Sequence, residues 1–278
     1  MRSIAHALVA CLALASFARA QGSAAPSGSE ALISGRDIGL FAGATAATAI
    51  LFHYDARIAR AFSDSGFHSR HPAFATGAKR ASIVTETVLM LTGTGVWGVA
   101  RLAHDRGTAD VAFHTTEAVA SGAAFIQVVR GALGRARPYV IDDAGDKRDA
   151  DPREFQLLHG FTSFNYRSFP SMHAMASFAA ASALAQEMRV RHAPLRAELA
   201  PLLYTGAAMP SLARMYLDEH WSSDIALGIF LGVFAGQKAV LYSHEHPNNR
   251  IDRIFLKPQV RGSIVLDASG LRFVVAPF

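Results

Sequence analysis

The sequence predicts an all-α protein, a helical bundle with a short β-hairpin at its C-terminal end. Three observations carry that expectation. Apolar stretches rich in alanine, glycine and threonine recur along the chain, separated by charged or broken segments, a composition suited to close-packed helices. The 278 residues are 51% hydrophobic and only 18% charged, enough apolar material for a sizeable core and unlike a disordered chain. Only near the end, over residues 259–278, does the pattern change to the alternation of half-buried strands.

Taken in order, residues 1–20 read as a secretory leader. Arg2 gives a positive start, Ala7 to Phe17 is apolar, and Ala18-Arg19-Ala20 has the small-x-small form of a cleavage site. Removing it takes Arg2 and Arg19 and no acid, so the formal charge falls from +5 to +3. No Lys/Arg stripe appears, and nucleic acid is not expected as a partner. The lone cysteine, Cys11, lies inside the leader, so no disulfide is expected in the mature chain. Residues 21–34 read as a linker.

Five apolar segments follow: Ile38–Phe52, Thr87–Ala100, Ala118–Val129, Ala174–Gln186 and Ile225–Gln237. Each ends at charged or histidine residues, and each is shorter than the roughly 18 residues of a membrane span. They are expected as buried helices of a bundle, with weak helices at or in a bilayer as the alternative. The stretches 63–74 and 137–155 are polar and read as loops that border a site. The expected domains are a leader at 1–20, a linker at 21–34, a helical body at 35–246 and a tail at 247–278 that contains the hairpin.

Three clusters carry chemistry. In "RGALGRARP" (130–138), Arg130 and Arg137 are two helical turns apart, hence near one face of a helix that Pro138 would stop. Two guanidiniums without an intervening acid suit an anion, though a solvated basic face reads the same way. In "PSMHAM" (170–175), Ser171 is placed to cap a helix whose free N–H groups favour an anion, with His173 in its first turn. An ordinary capped helix has the same pattern. In "ARMYLDEHWSSD" (213–224), His220 and Asp224 are four apart, on one face if helical, so a carboxylate can fix the imidazole tautomer. Arg214 shares that site only if the chain breaks before His220, and Asp218 is a candidate cap for the new helix. A surface His–Asp pair is the plain alternative. "HEH" (244–246) has metal-like spacing but reads as the polar end of a helix.

In this order the clusters resemble the signature of the type 2 phosphatidic acid phosphatase and vanadium haloperoxidase superfamily: Lys-x6-Arg-Pro, Pro-Ser-Gly-His and Ser-Arg-x5-His-x3-Asp. Arg130-x6-Arg137-Pro138 matches the first with Arg for Lys. Pro170-Ser171-Met172-His173 matches the second with Met for Gly. Ala213-Arg214-x5-His220-x3-Asp224 matches the third with Ala for Ser. The resemblance spans about residues 35–246.

It implies a helical bundle of that family's kind and a metal-independent phosphatase acting on phosphate monoesters or diphosphates, without a cofactor. His220 would attack phosphorus to give a phosphohistidine, held by Asp224. His173 would protonate the leaving alcohol and then activate water. Arg130, Arg137, Arg214 and Ser171, with backbone N–H groups at Met172 and His173, would hold the phosphoryl oxygens. The implied partner is a phosphorylated lipid such as phosphatidate or polyprenyl diphosphate, or a small soluble ester. The implied location is periplasmic, at or in the cell membrane. A vanadate-dependent haloperoxidase and a non-enzymatic phosphate-binding envelope protein are the alternatives. Met172 stands where the family has glycine, and its side chain is expected to lean towards the substrate entrance.

Overall fold

The computed structural model describes residues 33–63, 65–70, 72–141, 145–256, 260–267 and 270–277. The leader expected over 1–20, and all of the expected linker except Ile33 and Ser34, lie outside the described residues. Helix α1 (Gly35–Phe62) begins at Ser34, whose Oγ accepts the Asp37 N–H while Asp37 takes the Ser34 N–H in return. Two short helices follow, α2 (Ser65–Arg70) and α3 (Pro72–Ala81). Then come α4 (Glu86–Leu102), capped by Thr85, and α5 (Arg106–Leu133), capped by Asp105.

After α5 the chain forms a small antiparallel hairpin, β1 (Tyr139–Ile141) with β2 (Lys147–Asp149), inside the segment expected as a loop. Helices α6 (Met172–Val190), α7 (Arg196–Tyr216), α8 (Ser222–Glu245) and α9 (Arg250–Phe255) complete the helical part. The tail pairs β3 (Val260–Asp267) with β4 (Gly270–Pro277), antiparallel, in register from Val260 opposite Pro277 to Asp267 opposite Gly270. The mostly α-helical architecture with a terminal hairpin is the expected one.

Every expected apolar segment lies inside a longer helix. The bounding charged residues do not end helices; they only end the apolar run, and the backbone continues until a cap or a left-handed residue intervenes. α8 is therefore 24 residues long and apolar enough to cross a membrane, although half of that stretch is buried within the bundle. The expectation that every segment is too short for a span does not hold for α8.

The centre of the bundle is the α6–α8 pair. Gly228, Gly232 and Gly236 recur every four residues on α8, where an added Cβ would lie 2.6 Å from Ser171 O, 2.3 Å from Met175 O and 2.5 Å from Ala179 O. With Ala174, Ala179 and Ala183 opposite, the two backbones approach closely along their whole length. The contacts advance together in both helices, so α6 and α8 are parallel. α5 and α7 run the other way: Gly122 meets Met175, and Ser177 Oγ donates to Ala207 O (2.9 Å). The N-termini of α6 and α8 thus share one end of the bundle with the C-termini of α5 and α7.

Candidate active site

That shared end is built by local breaks in the helices. α5 stops at Gly134, whose φ of +58° suits glycine and where a Cβ would fall 1.8 Å from Gln156 O. The helix therefore ends before Arg135, not at Pro138, and Arg137 sits in an extended segment rather than on the helical face of Arg130. α7 stops at Tyr216, and Asp218 at φ +58° turns the chain. Asp218 caps nothing; it accepts from Ser63 Oγ. The N-cap of α8 is Trp221, with Asp224 taking its N–H (2.8 Å). His220 therefore precedes the helix, and the His220–Asp224 pair spans the cap instead of one helical face.

His220 is buried, with Nδ1 3.5 Å from Asp224 Oδ2. Asp224 is fully buried and otherwise occupied. Its Oδ1 accepts from Arg135 (2.5 Å), and its Oδ2 from Ser168 Oγ (2.5 Å) as well as the Trp221 N–H. Its backbone carbonyl accepts the Ser171 N–H (3.0 Å), tying the two parallel N-termini together. Ser171 Oγ caps Ala174 (3.4 Å) and is itself buried. The N–H groups of Met172 and His173 open α6, ahead of its first intrahelical donor, Met175.

The electrostatics fit an anion. Burial, with Arg214, His220 and Arg137 nearby, pushes His173 down to about 3. Burial, with Arg137 and Arg214 adding to it against Asp224, takes His220 down to about 4. Both imidazoles are neutral near pH 7. Burial lowers Arg137 to about 9 and Arg214 to about 10, so both keep their charge at neutral pH. Arg214 Nε is buried without a hydrogen-bond partner among the described residues.

Arg137 and Arg214 both grip Glu219, Arg214 Nη2 at 2.9 Å from its Oε2. A carboxylate thus stands between the two guanidiniums where an external anion would bind. Arg130 stands near enough to Arg137 to help lower it; Gln127 Oε1 accepts from the Arg130 Nε at 2.9 Å, and Glu86 and Arg167 are further charged neighbours.

The Met172 side chain is buried in a cluster with Val119, Ile126 and Met175. It points into the core, contrary to the expected lean towards the entrance. At the first position of α6 its side chain can descend along the α5–α6 interface while its N–H stays at the helix mouth.

Sequence reasoning missed four residues. Arg135 is fully buried and bonds Asp224, Ser223 Oγ (2.7 Å), Asp55 (2.7 Å) and Pro152 O (2.9 Å), under the ring of Phe52. Asp55, also fully buried on α1, holds Ser222 Oγ (2.6 Å) and the Ser223 N–H (2.9 Å). Ser168 and Glu219 complete the set. The available signal for Arg135 was its place inside the arginine cluster; Asp55 gave none beyond an acid within a helix.

Residues 112–247 match the model of the PAP2 superfamily. No curated protein matches the chain. Among solved structures it is similar to the first transmembrane PAP2 type phosphatidylglycerolphosphate phosphatase from Bacillus subtilis. The two are 18% identical, with a TM-score of 0.34 over 73% of this chain and 98% of that one. The matched segment holds all eight candidate residues, from Arg130 to Asp224. That matched segment carries all three motifs, and the family it matches, the PAP2 superfamily, is the one those motifs resemble.

Proposed function

We propose that the protein is a metal-independent phosphatase that hydrolyses phosphate monoesters or diphosphates through a phosphohistidine, with a lipid phosphate as the preferred substrate. The observation that carries this is the meeting of a neutral His220, a neutral His173 and the charged Arg137 and Arg214 at two helix N-termini. His220 Nδ1 faces Asp224, which leaves Nε2 to attack phosphorus. Arg137, Arg214 and the Met172 and His173 N–H groups take the equatorial oxygens, displacing Glu219. The bond from phosphorus to the alcohol oxygen breaks as His173, having taken a proton from solvent when the anion binds, delivers it to that oxygen. His173 then takes a proton from water, whose oxygen attacks the phosphohistidine and frees His220. Two fixed guanidiniums and two helix dipoles supply the charge stabilisation.

The low value for His173 belongs to the empty site. Burial first, and then Arg214, His220 and Arg137, depress it there; a bound phosphate dianion favours the imidazolium against both, so substrate binding brings in the acid's proton from solvent. Arg130 is a more distant contributor to the field, and Ser171 acts first as a cap.

An apolar groove of about 480 Å³ favours lipid. Ala81, Val84, Leu89, Ala180, Leu203 and Met209 line it, together with Ser177, one helical turn beyond His173. Leu91, Val99 and Leu102 on α4 and Phe125 and Val128 on α5 are exposed apolar side chains that suit association with a membrane surface. The leader over 1–20 supports export, and N-terminal sequencing of the exported form, beginning at Gln21, checks it.

The test is rapid quench with labelled substrate. The unmutated protein should trap an acid-labile phosphoprotein, and His220→Ala should lose both the trap and turnover. Near-full activity in His220→Ala would overturn the assignment.

A further inference from the structure

At the end of the bundle opposite the histidine pair lies a second polar cluster that the phosphatase chemistry does not use. Glu187 is 14 residues beyond His173 on α6, about 21 Å along the helix axis. Its carboxylate is almost fully buried and is approached by His114 Nδ1 from α5 (2.6 Å) and His244 Nε2 from α8 (3.1 Å). The three donor atoms all lie within 4.8 Å of one another. From these atoms we infer that His114 Nδ1, Glu187 and His244 Nε2 form a binding site for a divalent transition metal, with Zn²⁺ the best match.

Four observations support the assignment. Two imidazole nitrogens and one carboxylate are the donor set that Zn²⁺ takes in three-ligand sites, with a fourth position left for water. Each ligand comes from a different core helix, so the positions are fixed by the same close packing that sets α6 against α8. The outer groups have the arrangement that orients metal-bound histidines. His114 is 4% exposed; its other nitrogen, Nε2, is buried without a hydrogen-bond partner among the described residues and faces Asp252 Oδ2 of α9 at 3.7 Å. Glu117 lies on α5 one turn beyond His114, with its Oε2 buried and also unpartnered among the described residues. Finally, the side chain of His244 is 28% exposed, which gives an ion a route in from solvent.

The charges agree. Glu187, Asp252 and Asp110 face Arg191 and the two imidazoles. Arg191 holds Glu187 Oε2 (2.6 Å) and approaches Asp110 at 3.6 Å. His114 Nδ1 stands 2.6 Å from Glu187 Oε1, a contact that a dication bound by both would replace. The "HEH" stretch thus contributes one ligand, His244, with its partners supplied by other helices.

The site is tested on the full, untagged, EDTA-treated protein with Zn²⁺ alone, without substrate. Calorimetric titration should show one ion per chain, with proton release seen as a buffer-dependent heat. Zn²⁺ should raise the thermal midpoint, and Co²⁺ should give visible absorption bands. His244→Ala removes a partly exposed ligand at little cost to the fold. It should weaken Zn²⁺ binding at least tenfold and abolish the thermal shift, while phosphatase turnover persists. His114→Gln should do the same to binding. No saturable uptake by the unmutated protein, or uptake equal in His244→Ala, overturns the site. Because binding is read without substrate, failure here is distinct from failure of the phosphohistidine chemistry.

Discussion

Replacing Arg135 with methionine tests whether the buried ionic network holds the site together. The guanidinium is fully buried, as are both of its carboxylate partners, Asp55 and Asp224. Methionine fills comparable volume beneath Phe52, so the cavity cost is small and the electrostatic cost dominates. Removing one partner of a buried ion pair typically costs about 3–5 kcal/mol, because an uncompensated charge stays behind. Arg135→Met leaves two such charges at once, and the upper end of that range is expected at pH 7.

The loss must also depend on pH. Burial raises the Asp224 carboxyl, but Arg135, followed by His220 and Ser168, outweighs burial and holds it below the usual range. A folded value below the unfolded one stabilises at neutral pH, and that contribution is lost as pH falls through the folded value. In the variant the same carboxyl moves up, so protonation relieves the penalty. The gap between the two proteins should therefore close as pH falls. Guanidinium unfolding followed by the fluorescence of Trp97 and Trp221, at pH 7 and at pH 4.5, measures both parts. A loss below about 1 kcal/mol, or an equal loss at both pH values, would refute the network argument. Asp55→Asn is the milder companion: it should lower kcat more than it raises KM, since Asp55 positions Ser222 and Ser223 behind Asp224 and touches no substrate.

Other outcomes follow from the same geometry. The acid limb of kcat/KM should fall near pH 4, where His220 gains a proton and loses its nucleophilic lone pair; a limb near 6.5 would mean that the site leaves this histidine solvated. Glu219→Gln removes the internal carboxylate from Arg137 and Arg214, and inhibition by vanadate or phosphate should tighten about 5-fold or more, on the scale of roughly 1 kcal/mol for partly exposed ion pairs; unchanged inhibition would mean that Glu219 does not occupy the anion position. Met172→Gly should destabilise the fold by about 2–5 kcal/mol, the range for truncating a buried methionine, and leave the lipid-to-soluble substrate ratio unchanged; a shifted ratio would restore the side chain to the entrance. Filling the groove with Ala180→Phe should lower kcat/KM for a long-chain phosphate while sparing a small soluble ester.

The helices were legible in the sequence because burial and helix propensity both leave marks in composition, and the α6–α8 core is written in alanine and glycine. Their ends were less legible. A charged residue ends an apolar run without ending a helix, so α5 and α8 extend well past the segments that announced them. α7 gave no apolar segment at all. Pro201 and Pro210 interrupt its pattern, yet both sit inside the helix. The stops that shape this end of the bundle are backbone events at Gly134 and Asp218, and Pro138, four residues on, drew attention from the first of them.

The site divides along the same line. Motif spacing singled out His173, Arg137, Arg214, His220 and Asp224, which lie together at one end of the bundle because they fall in short stretches bound to helix ends. Spacing could not show that Arg130 would turn aside to Gln127 while Arg135, five residues on, passed through the core to Asp224. That exchange is decided by Gly134. Once the helix ends there, the next residues leave the helical direction; Arg135 faces inwards towards α1 and α8, and Arg137 meets Glu219 beside Arg214. One left-handed glycine thus separates two arginines, one pairing with the buried carboxylates and the other placed where the proposed function has an anion bind. The parallel α6–α8 pair makes both roles necessary. It sets two helix N-termini side by side, which attracts negative charge, and Asp224 must sit at one of them to face His220. Arg135 satisfies that carboxylate from behind, leaving Arg137 and Arg214 with positive charge to offer to a phosphoryl group.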